Sequence, residues 1–368
     1  MGKRIMFVGA SLGGGGSERV MTLLANAMYK QGNEINIIRL FDDKVDYTVE
    51  IGIDSTYIGN SINNPIIKKL DLAWKLRKII KKYHPDTIIS FLTTCNVISI
   101  ISSIGINCKV IISERNDPNN NVGSKLAAHL RNIAYSVSDK LVCQTPDAVK
   151  YFPKKIQKKA VVIPNPINES LPEPYNGIRK KNIVMVCRLN KQKNLPMALN
   201  VFEEFYKKHP EWKLDIYGEG EEKDRLLSMV EKLNSKNSIE FHGFANNVIE
   251  QIYDSGIYLS TSDYEGISNS MLEALAIGIP CVVTDCPIGG ARMIIKNNEN
   301  GVLIPINNVP ACVDALVSVT EDLNLQMKII SNSVLVRNKY SMKKIIELWN
   351  KQIQDCDQKD IKNYEESQ

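Results

Sequence analysis

Two glutamates carry the clearest chemical signal in the chain: Glu265 and Glu273, with seven residues between them, in Ser262-Asp263-Tyr264-Glu265-Gly266-Ile267-Ser268-Asn269-Ser270-Met271-Leu272-Glu273. The stretch reads as a strand end, a tight polar turn and a short helix stopped by Gly278, which brings both carboxylates to one helix start. Backbone N–H groups at such a start, around Ser268, Asn269 and Ser270, lack helical partners and carry partial positive charge, which favours a phosphate. Carboxylates beside a phosphate repel it unless they face neutral hydroxyls. A sugar nucleotide, in which ribose and hexose flank a diphosphate, meets both demands. A local alternative stands beside it, because Ser270-Met271-Leu272-Glu273 also fits a capping box in which Glu273 only closes the helix start.

Two cations extend the pattern. Arg188 and Lys193 follow the apolar run Asn182–Cys187 at a strand-to-helix junction, from which both can converge on a diphosphate. Taken singly, each also reads as a solvated charge.

The elements that must hold these groups alternate along the chain. Arg4–Gly9, Glu34–Leu40, Thr87–Phe91, Lys109–Ser113 and Lys140–Gln144 are strand-like runs separated by helical patterns, and Asn182–Cys187, Lys213–Tyr217, Ser238–Phe241 and Ile257–Thr261 repeat the scheme. That alternation predicts doubly wound α/β sheets, whose ligands sit at the C-terminal ends of strands. Thr93-Thr94, Ser113-Glu114-Arg115-Asn116-Asp117 and Gln144-Thr145 are therefore site candidates in the first half, with ordinary turn chemistry as the alternative. After the first strand, Gly13-Gly14-Gly15-Gly16 leads into a helix that Ser17 is expected to cap. Such a turn admits close backbone approach to a phosphate, but it lacks the endings of the P-loop and of the dinucleotide fingerprint.

A chain of 368 residues suits two domains. Pro164 and Pro166 close the first half, giving expected domains of 1–172 and 173–340, a C-terminal helix over 341–356 and a polar tail over 357–368. Residues 1–172 carry 23 Lys+Arg against 14 Asp+Glu and residues 173–368 carry 23 against 27, so +9 and −4 sum to the net +5. The basic first half is expected to meet something anionic, and nothing points to nucleic acid. Its helical stretch Ile66–Tyr83 has seven basic residues against Asp71 alone, which suits an anionic membrane surface as well as a solvated helix face. No run reaches the length of a membrane span and no signal peptide is legible, so a cytoplasmic protein is expected, with peripheral attachment to the cytoplasmic face of the inner membrane as one of the two readings of that basic helix. Eight scattered cysteines and four histidines without ligand spacing argue against disulfides and a metal centre. Asp355-x-Asp357 lies in the polar tail and is read as coincidence.

These motifs resemble those of GT4 retaining glycosyltransferases. Glu265-Gly266 through Glu273-Ala274 and Gly278-Ile279-Pro280 are similar to the family's Glu-x7-Glu signature. Gly15-Gly16-Ser17-Glu18-Arg19 is similar to its Gly-Gly-x-Glu-Arg loop, Pro164-Asn165-Pro166-Ile167 to the turn before its linker, and Arg188 with Lys193 to its diphosphate pair. The resemblance spans most of the chain and implies the GT-B fold, two Rossmann-like domains with a nucleotide sugar in the cleft between them. It implies Glu265, Arg188 and Lys193 as catalytic, with Glu265 facing the hexose. Gly14, Gly15, Gly16, Gly218, Gly243, Ser268, Asn269, Ser270 and Glu273 would bind the donor, Glu273 at its ribose, and Glu114, Arg115 and Asp117 are acceptor-side candidates. No metal cofactor is implied, since the two cations neutralise the departing diphosphate. The implied reaction moves a hexosyl or N-acetylhexosaminyl unit from a UDP-sugar to a glycan or polyprenyl-diphosphate-linked acceptor in bacterial surface polysaccharide, as in O-antigen or capsule. Two departures stand out: Gly290-Ala291-Arg292 replaces a Gly-Pro-acidic turn, and His129, on what reads as a plain helix, is the one counterpart for a first-domain catalytic His.

Two other readings remain open at this level. A sugar-nucleotide 2-epimerase shares the fold and would convert its substrate without an acceptor. A non-catalytic sugar-nucleotide or lipid-binding module would not hydrolyse a nucleotide sugar.

Overall fold

The computed structural model describes residues 2–120 and 123–365, with side chains described to 354. Its backbone divides into two compact units, Met1–Pro166 with Met342–Gln368, and Ile167–Ser341. The break precedes the expected 172/173 boundary because Ile167 and Leu171 join the core of the second unit, where the Ile167 N–H donates to the Tyr340 carbonyl at 2.8 Å.

The first unit holds a sheet of seven parallel strands: β1 (Arg4–Gly9), β2 (Glu34–Arg39), β3 (Asp54–Tyr57), β4 (Thr87–Phe91), β5 (Lys109–Glu114), β6 (Lys140–Cys143) and β7 (Ala160–Val162). Their order is β3-β2-β1-β4-β5-β6-β7. The central strands are continuous apolar runs because helices cover both faces. The edge strands β3 and β7 are short and partly exposed, and periodicity does not reveal β3, whose sequence is Asp-Ser-Thr-Tyr. Between strands lie α1 (Gly16–Lys30), α2 (Pro65–Tyr83), α3 (Thr93–Ser103) and α4 (Lys125–Ser136). Asn64 caps α2, accepting from the N–H groups of Ile66 and Ile67, and Pro65 occupies the first turn, where its missing N–H costs nothing. The helix Met342–Glu365 also belongs to this unit and takes in most of the segment expected as a polar tail; 366–368 and the Asp355 and Asp357 side chains lie outside the described residues. Met342, Ile345, Ile346, Trp349 and Ile353 line one helical face and join α1 and the sheet in one core, with Trp349 6.1 Å from the Phe91 ring.

The second unit holds six parallel strands: β8 (Asn182–Val186), β9 (Lys213–Tyr217), β10 (Ile239–Gly243), β11 (Ile257–Ser260), β12 (Cys281–Thr284) and β13 (Val302–Ile304). Their order is β10-β9-β8-β11-β12-β13, so the strand order reverses between β8 and β11, where doubly wound sheets bind ligands. One buried cluster includes Leu195, Phe202, Phe205 and Leu316, and a second on the other side of the sheet includes Leu272, Leu275, Ile279 and Ile294. The described cysteines are free thiols.

Candidate active site

At the switch point the β8 and β11 ends are tied together. A single helical turn, Lys191–Lys193, follows β8, and Asn194, at φ +46°, caps the next helix with Pro196 in its first turn. Thr261 Oγ1, just past β11, donates to the carbonyls of Lys193 (3.0 Å) and Asn194 (3.1 Å). Gln192 Nε2 donates to the Tyr264 carbonyl at 2.8 Å, and the Asp263 N–H donates to the Gln192 carbonyl at 2.9 Å. This lattice delivers Lys193 Nζ to 2.5 Å from Glu265 Oε1. Glu265 Oε2 accepts from Ser262 Oγ at 3.0 Å. Burial pulls the Lys193 ammonium down, and the Glu265 carboxylate outweighs it, leaving its pKa above that of an ordinary lysine.

Arg188 leaves the same β8 end. Its loop is clasped by the β9 end, through Cys187 N–H to the Tyr217 carbonyl (3.0 Å) and Leu189 N–H to the Glu219 carbonyl (2.9 Å). Gly218 makes this possible: it sits at φ +141°, and an added Cβ would lie 1.8 Å from the Cys187 carbonyl oxygen. Gly243, at φ +72°, accepts the Gly218 N–H through its carbonyl at 2.7 Å. The Arg188 side chain is exposed and has no acidic partner among the described residues.

The helix Asn269–Ala276 starts where the motif places it, but its cap is Ser268, whose Oγ accepts from the Met271 N–H at 3.3 Å. Ser270 Oγ instead donates to the Val186 carbonyl at 2.9 Å and lies 2.8 Å from the Tyr258 hydroxyl. Glu273 therefore stands beyond the capping position, buried, and the capping-box alternative does not describe this helix. A cavity of ≈ 10 Å³ lies among Ser260, Ser262, Glu265, Ser268 and Thr284, room for about one water and far too small for a hexose. Gly266 rests against Gly290, the first residue of the helix Gly290–Ile294, and the Glu265 backbone pairs with that turn through its N–H to Pro287 (2.7 Å) and its carbonyl from Ile288 (3.2 Å).

In the first unit, Gly15 is the N-cap residue of α1 and Gly16 opens the helix. Ser17, expected as the cap, lies inside the helix and donates to Glu18 Oε2 at 2.6 Å. Glu114 and Arg115 turn away from each other at the β5 end. Glu114 is buried, accepting from Thr93 Oγ1 (3.0 Å), Asn96 Nδ2 (3.4 Å) and the Tyr135 hydroxyl. Arg115 Nη1 donates to Asn165 Oδ1 at 3.0 Å, its guanidinium lies 4.8 Å from the Phe91 ring, and burial lowers its pKa to about 9. Asp117 closes a turn, accepting from the Asn119 N–H and Asn120 Nδ2, both at 2.9 Å. Each of the three has partners inside its own unit.

Burial raises the Glu114 pKa against the opposing hydrogen bonds and the Arg131 charge. A carboxyl whose folded pKa exceeds its ordinary value of 4.5 lends stability fully below that value and loses it as pH rises through the folded pKa. Glu114→Gln is expected to flatten this part of the melting temperature against pH curve; a variant profile parallel to wild type would show that Glu114 does not titrate there.

Two family models cover nearly the whole chain: Glycosyltransferase Family 4 matches residues 14–171, and Glycosyl transferases group 1 matches residues 173–335. An uncharacterised glycosyltransferase of Haemophilus influenzae is 30% identical over 349 residues, covering 94% of this chain and 97% of that one. The chain belongs to the family 4, group 1 glycosyltransferases. A Campylobacter jejuni relative is 28% identical over 359 residues, 95% of this chain and 98% of its own; it is a GalNAc-alpha-(1->4)-GalNAc-alpha-(1->3)-diNAcBac-PP-undecaprenol alpha-1,4-N-acetyl-D-galactosaminyltransferase. The structure of Anabaena HepE in complex with UDP and glucose superposes with a TM-score of 0.82 at 15% identity, covering 96% of this chain and all of that one, which establishes the GT-B fold.

Several residues of this glycosyltransferase that build the site carried no sequence signal of their own. Thr261, Gln192 and Ser262 act through contacts between β8 and β11, which no local pattern announces. Asn194 before Leu195-Pro196 is a legible helix cap. Among the described residues, Asp215, Glu240 and His242 bring donor atoms close enough to share a cation. His242 Nε2 is 3.0 Å from Asp215 Oδ1 and its ring stacks on Tyr217 at 4.5 Å, so the cluster is an internally bonded edge of β9 and β10, separate from the Glu265 turn. No helix of the described residues is long and apolar enough to cross a membrane.

Proposed function

We propose that this glycosyltransferase works with retention, moving a hexosyl or N-acetylhexosaminyl unit from a UDP-sugar to a lipid-diphosphate-linked glycan in bacterial surface polysaccharide synthesis. The Lys193–Glu265 pair carries the reading: a cation and a carboxylate are bonded past the β8 end, from which Arg188 also leaves, and Glu265 shares a cavity with Ser268, the cap of the next helix. Arg188 and Lys193 neutralise the departing diphosphate, helped by the N–H groups of Asn269 and Ser270. Glu265 orients Lys193 and faces the hexose, where it favours positive charge developing at the anomeric carbon. Glu273 binds the ribose hydroxyls, and Gly218 and Gly243 let backbone approach the nucleotide. In the first unit, Gly14, Gly15 and Gly16, at the start of α1, offer backbone N–H groups to the donor.

As the bond from the anomeric carbon to the diphosphate oxygen breaks, the acceptor hydroxyl attacks from the same face. Its proton passes to the leaving oxygen, and the configuration is retained. The UDP donor is supported by the ligand of the HepE structure, and the lipid-linked acceptor by the Campylobacter relative.

A thermal-shift panel of UDP-, GDP- and ADP-sugars tests the donor, since a ligand that binds only the folded state at a hundred times its Kd adds about 2.7 kcal/mol of stability. UDP-sugars should raise the melting temperature and the others should not; a shift confined to GDP- or ADP-sugars overturns the donor assignment. Because protein cations balance the diphosphate, turnover is expected to persist in EDTA. Complete loss that Mg2+ restores would refute that charge balance.

A further inference from the structure

We propose that the outer face of α2, α3 and α4 is a docking surface for an anionic lipid bilayer, with α4 inserting its apolar stripe. The three helices form one layer on the first unit's sheet. Arg77 Nη1 of α2 donates to the carbonyls of Ser102 (2.9 Å) and Ile104 (2.7 Å) at the end of α3, and Asn96 Nδ2 of α3 donates to the Tyr135 hydroxyl of α4 at 3.0 Å. α4 turns Arg131 and Tyr135 inward and leaves Leu126, Leu130, Ile133 and Val137 on its outer side, at helical spacing. α2 buries Leu72, Leu76 and Ile80 and leaves Ile66, Leu70 and Trp74 outside. These seven outer side chains are between 54% and 70% exposed, and Ile101 and Ile104 of the α3 end are exposed as well. Exposed apolar stripes on helices of one layer mark an interaction site.

Charge decides the occupant. α2 carries seven basic residues and one acid, Asp71, which is bound to Lys75 at 2.9 Å, and α4 has no acid at all. Lys78 Nζ lies 3.4 Å from the Trp74 ring centroid, so the last apolar residue of the α2 stripe is joined directly to its cationic end. Apolar residues edged by lysines match the headgroup and acyl boundary of an anionic leaflet, where a helix lies in plane with its apolar side about 5 to 10 Å deep. A second copy of the chain fits less well, because a two-fold contact would bring the same basic helix near itself. The surface would hold the enzyme where a lipid-linked acceptor resides, yet vesicle binding is measured without turnover and fails or succeeds independently of the proposed reaction.

The test is sedimentation of the full chain with phosphatidylcholine vesicles, with and without about one third phosphatidylglycerol, from low salt to about 1 M. Binding should require the anionic lipid and retain a salt-resistant part. Lys78→Glu/Lys81→Glu/Lys82→Glu should weaken it by at least about 100-fold, from roughly 1 kcal/mol per basic residue. Leu130→Ser/Ile133→Ser should remove the salt-resistant part, with unchanged melting temperature and unchanged activity on a soluble acceptor analogue. Trp212 and Trp349 are buried, so a blue shift of emission on vesicles should come from Trp74 and vanish in Trp74→Phe. Equal binding by wild type and both multiple variants overturns the proposal. So does a dimer that Leu130→Ser/Ile133→Ser splits, with no vesicle binding by wild type.

Discussion

Glu265→Gln is expected to lower kcat by about 30- to 1000-fold, or roughly 2 to 4 kcal/mol of barrier, with little change in donor KM. Its carboxylate is held between Lys193 Nζ at 2.5 Å and Ser262 Oγ at 3.0 Å, so its position is set before substrate arrives. Gln preserves the shape and can still accept from Lys193, but the negative charge that favours a positive anomeric carbon is gone. Glu273→Gln should behave differently. Glu273 is buried beyond the first turn of its helix, and as a ribose ligand it serves substrate and transition state alike, so its loss raises donor KM and spares kcat. Steady-state constants for both variants, with melting temperatures to show that each is folded at the assay temperature, decide the matter. Wild-type kinetics in both would remove these glutamates from the reaction, and a kcat loss matched by the unfolded fraction would make Glu265 structural only.

Gly290→Ala should cost about 100-fold in kcat or more, although Gly290 touches no substrate in the proposed reaction. An added Cβ would stand 1.8 Å from the Gly266 carbonyl oxygen and 2.4 Å from its carbonyl carbon, both backbone atoms that cannot rotate away. The Gly266 peptide must retreat, and Glu265 is bonded on both its N–H and its carbonyl to the turn that leads into Gly290. A displacement near 1 Å at a reacting group is worth about 100-fold, while the overpacking itself costs about 1 to 3 kcal/mol of stability. Gly123→Ala is the control, since nothing lies within 4 Å of the added methyl. The positioning role predicts that kcat falls far more than donor affinity measured by thermal shift. If activity follows the loss of stability alone, Gly290 is a packing residue and no more.

The strands were legible in the sequence because central parallel strands, covered on both faces, are unbroken apolar runs whatever their partners. The spacing of Glu265 and Glu273 was legible for the same reason that made it ambiguous. Seven intervening residues place both at a helix start, but whether Glu273 caps that helix depends on which serine ends the turn. Ser268 does so because Ser270 Oγ is engaged by the Val186 carbonyl and the Tyr258 hydroxyl, groups more than ten residues away in sequence. Gly290 opens a turn that departs from the family pattern at Ala291 and Arg292, and its own close approach to Gly266 exists only once β11 and β12 are paired side by side.

The first unit shows the limit most clearly. Glu114, Arg115 and Asp117 stood at a strand end, where ligands bind, yet successive strand residues point to opposite faces and the sequence does not say what covers each face. Helices α3 and α4 supply Asn96 and Tyr135 to Glu114, while Asn165, Phe91 and Trp349 enclose Arg115. In α4 the periodicity of Leu126, Leu130, Ile133 and Val137 is visible in the sequence and would ordinarily mark a core face. Tertiary packing chose the other side, burying Arg131 and Tyr135, because Glu114 and the Pro118 carbonyl offered polar partners that an apolar stripe could not satisfy. Local sequence thus determined which elements form and which charged groups stand at their ends. Which face of each element meets the core was decided only by the partners that folding brought to it, since a hydrogen-bonding group is buried where its partner is.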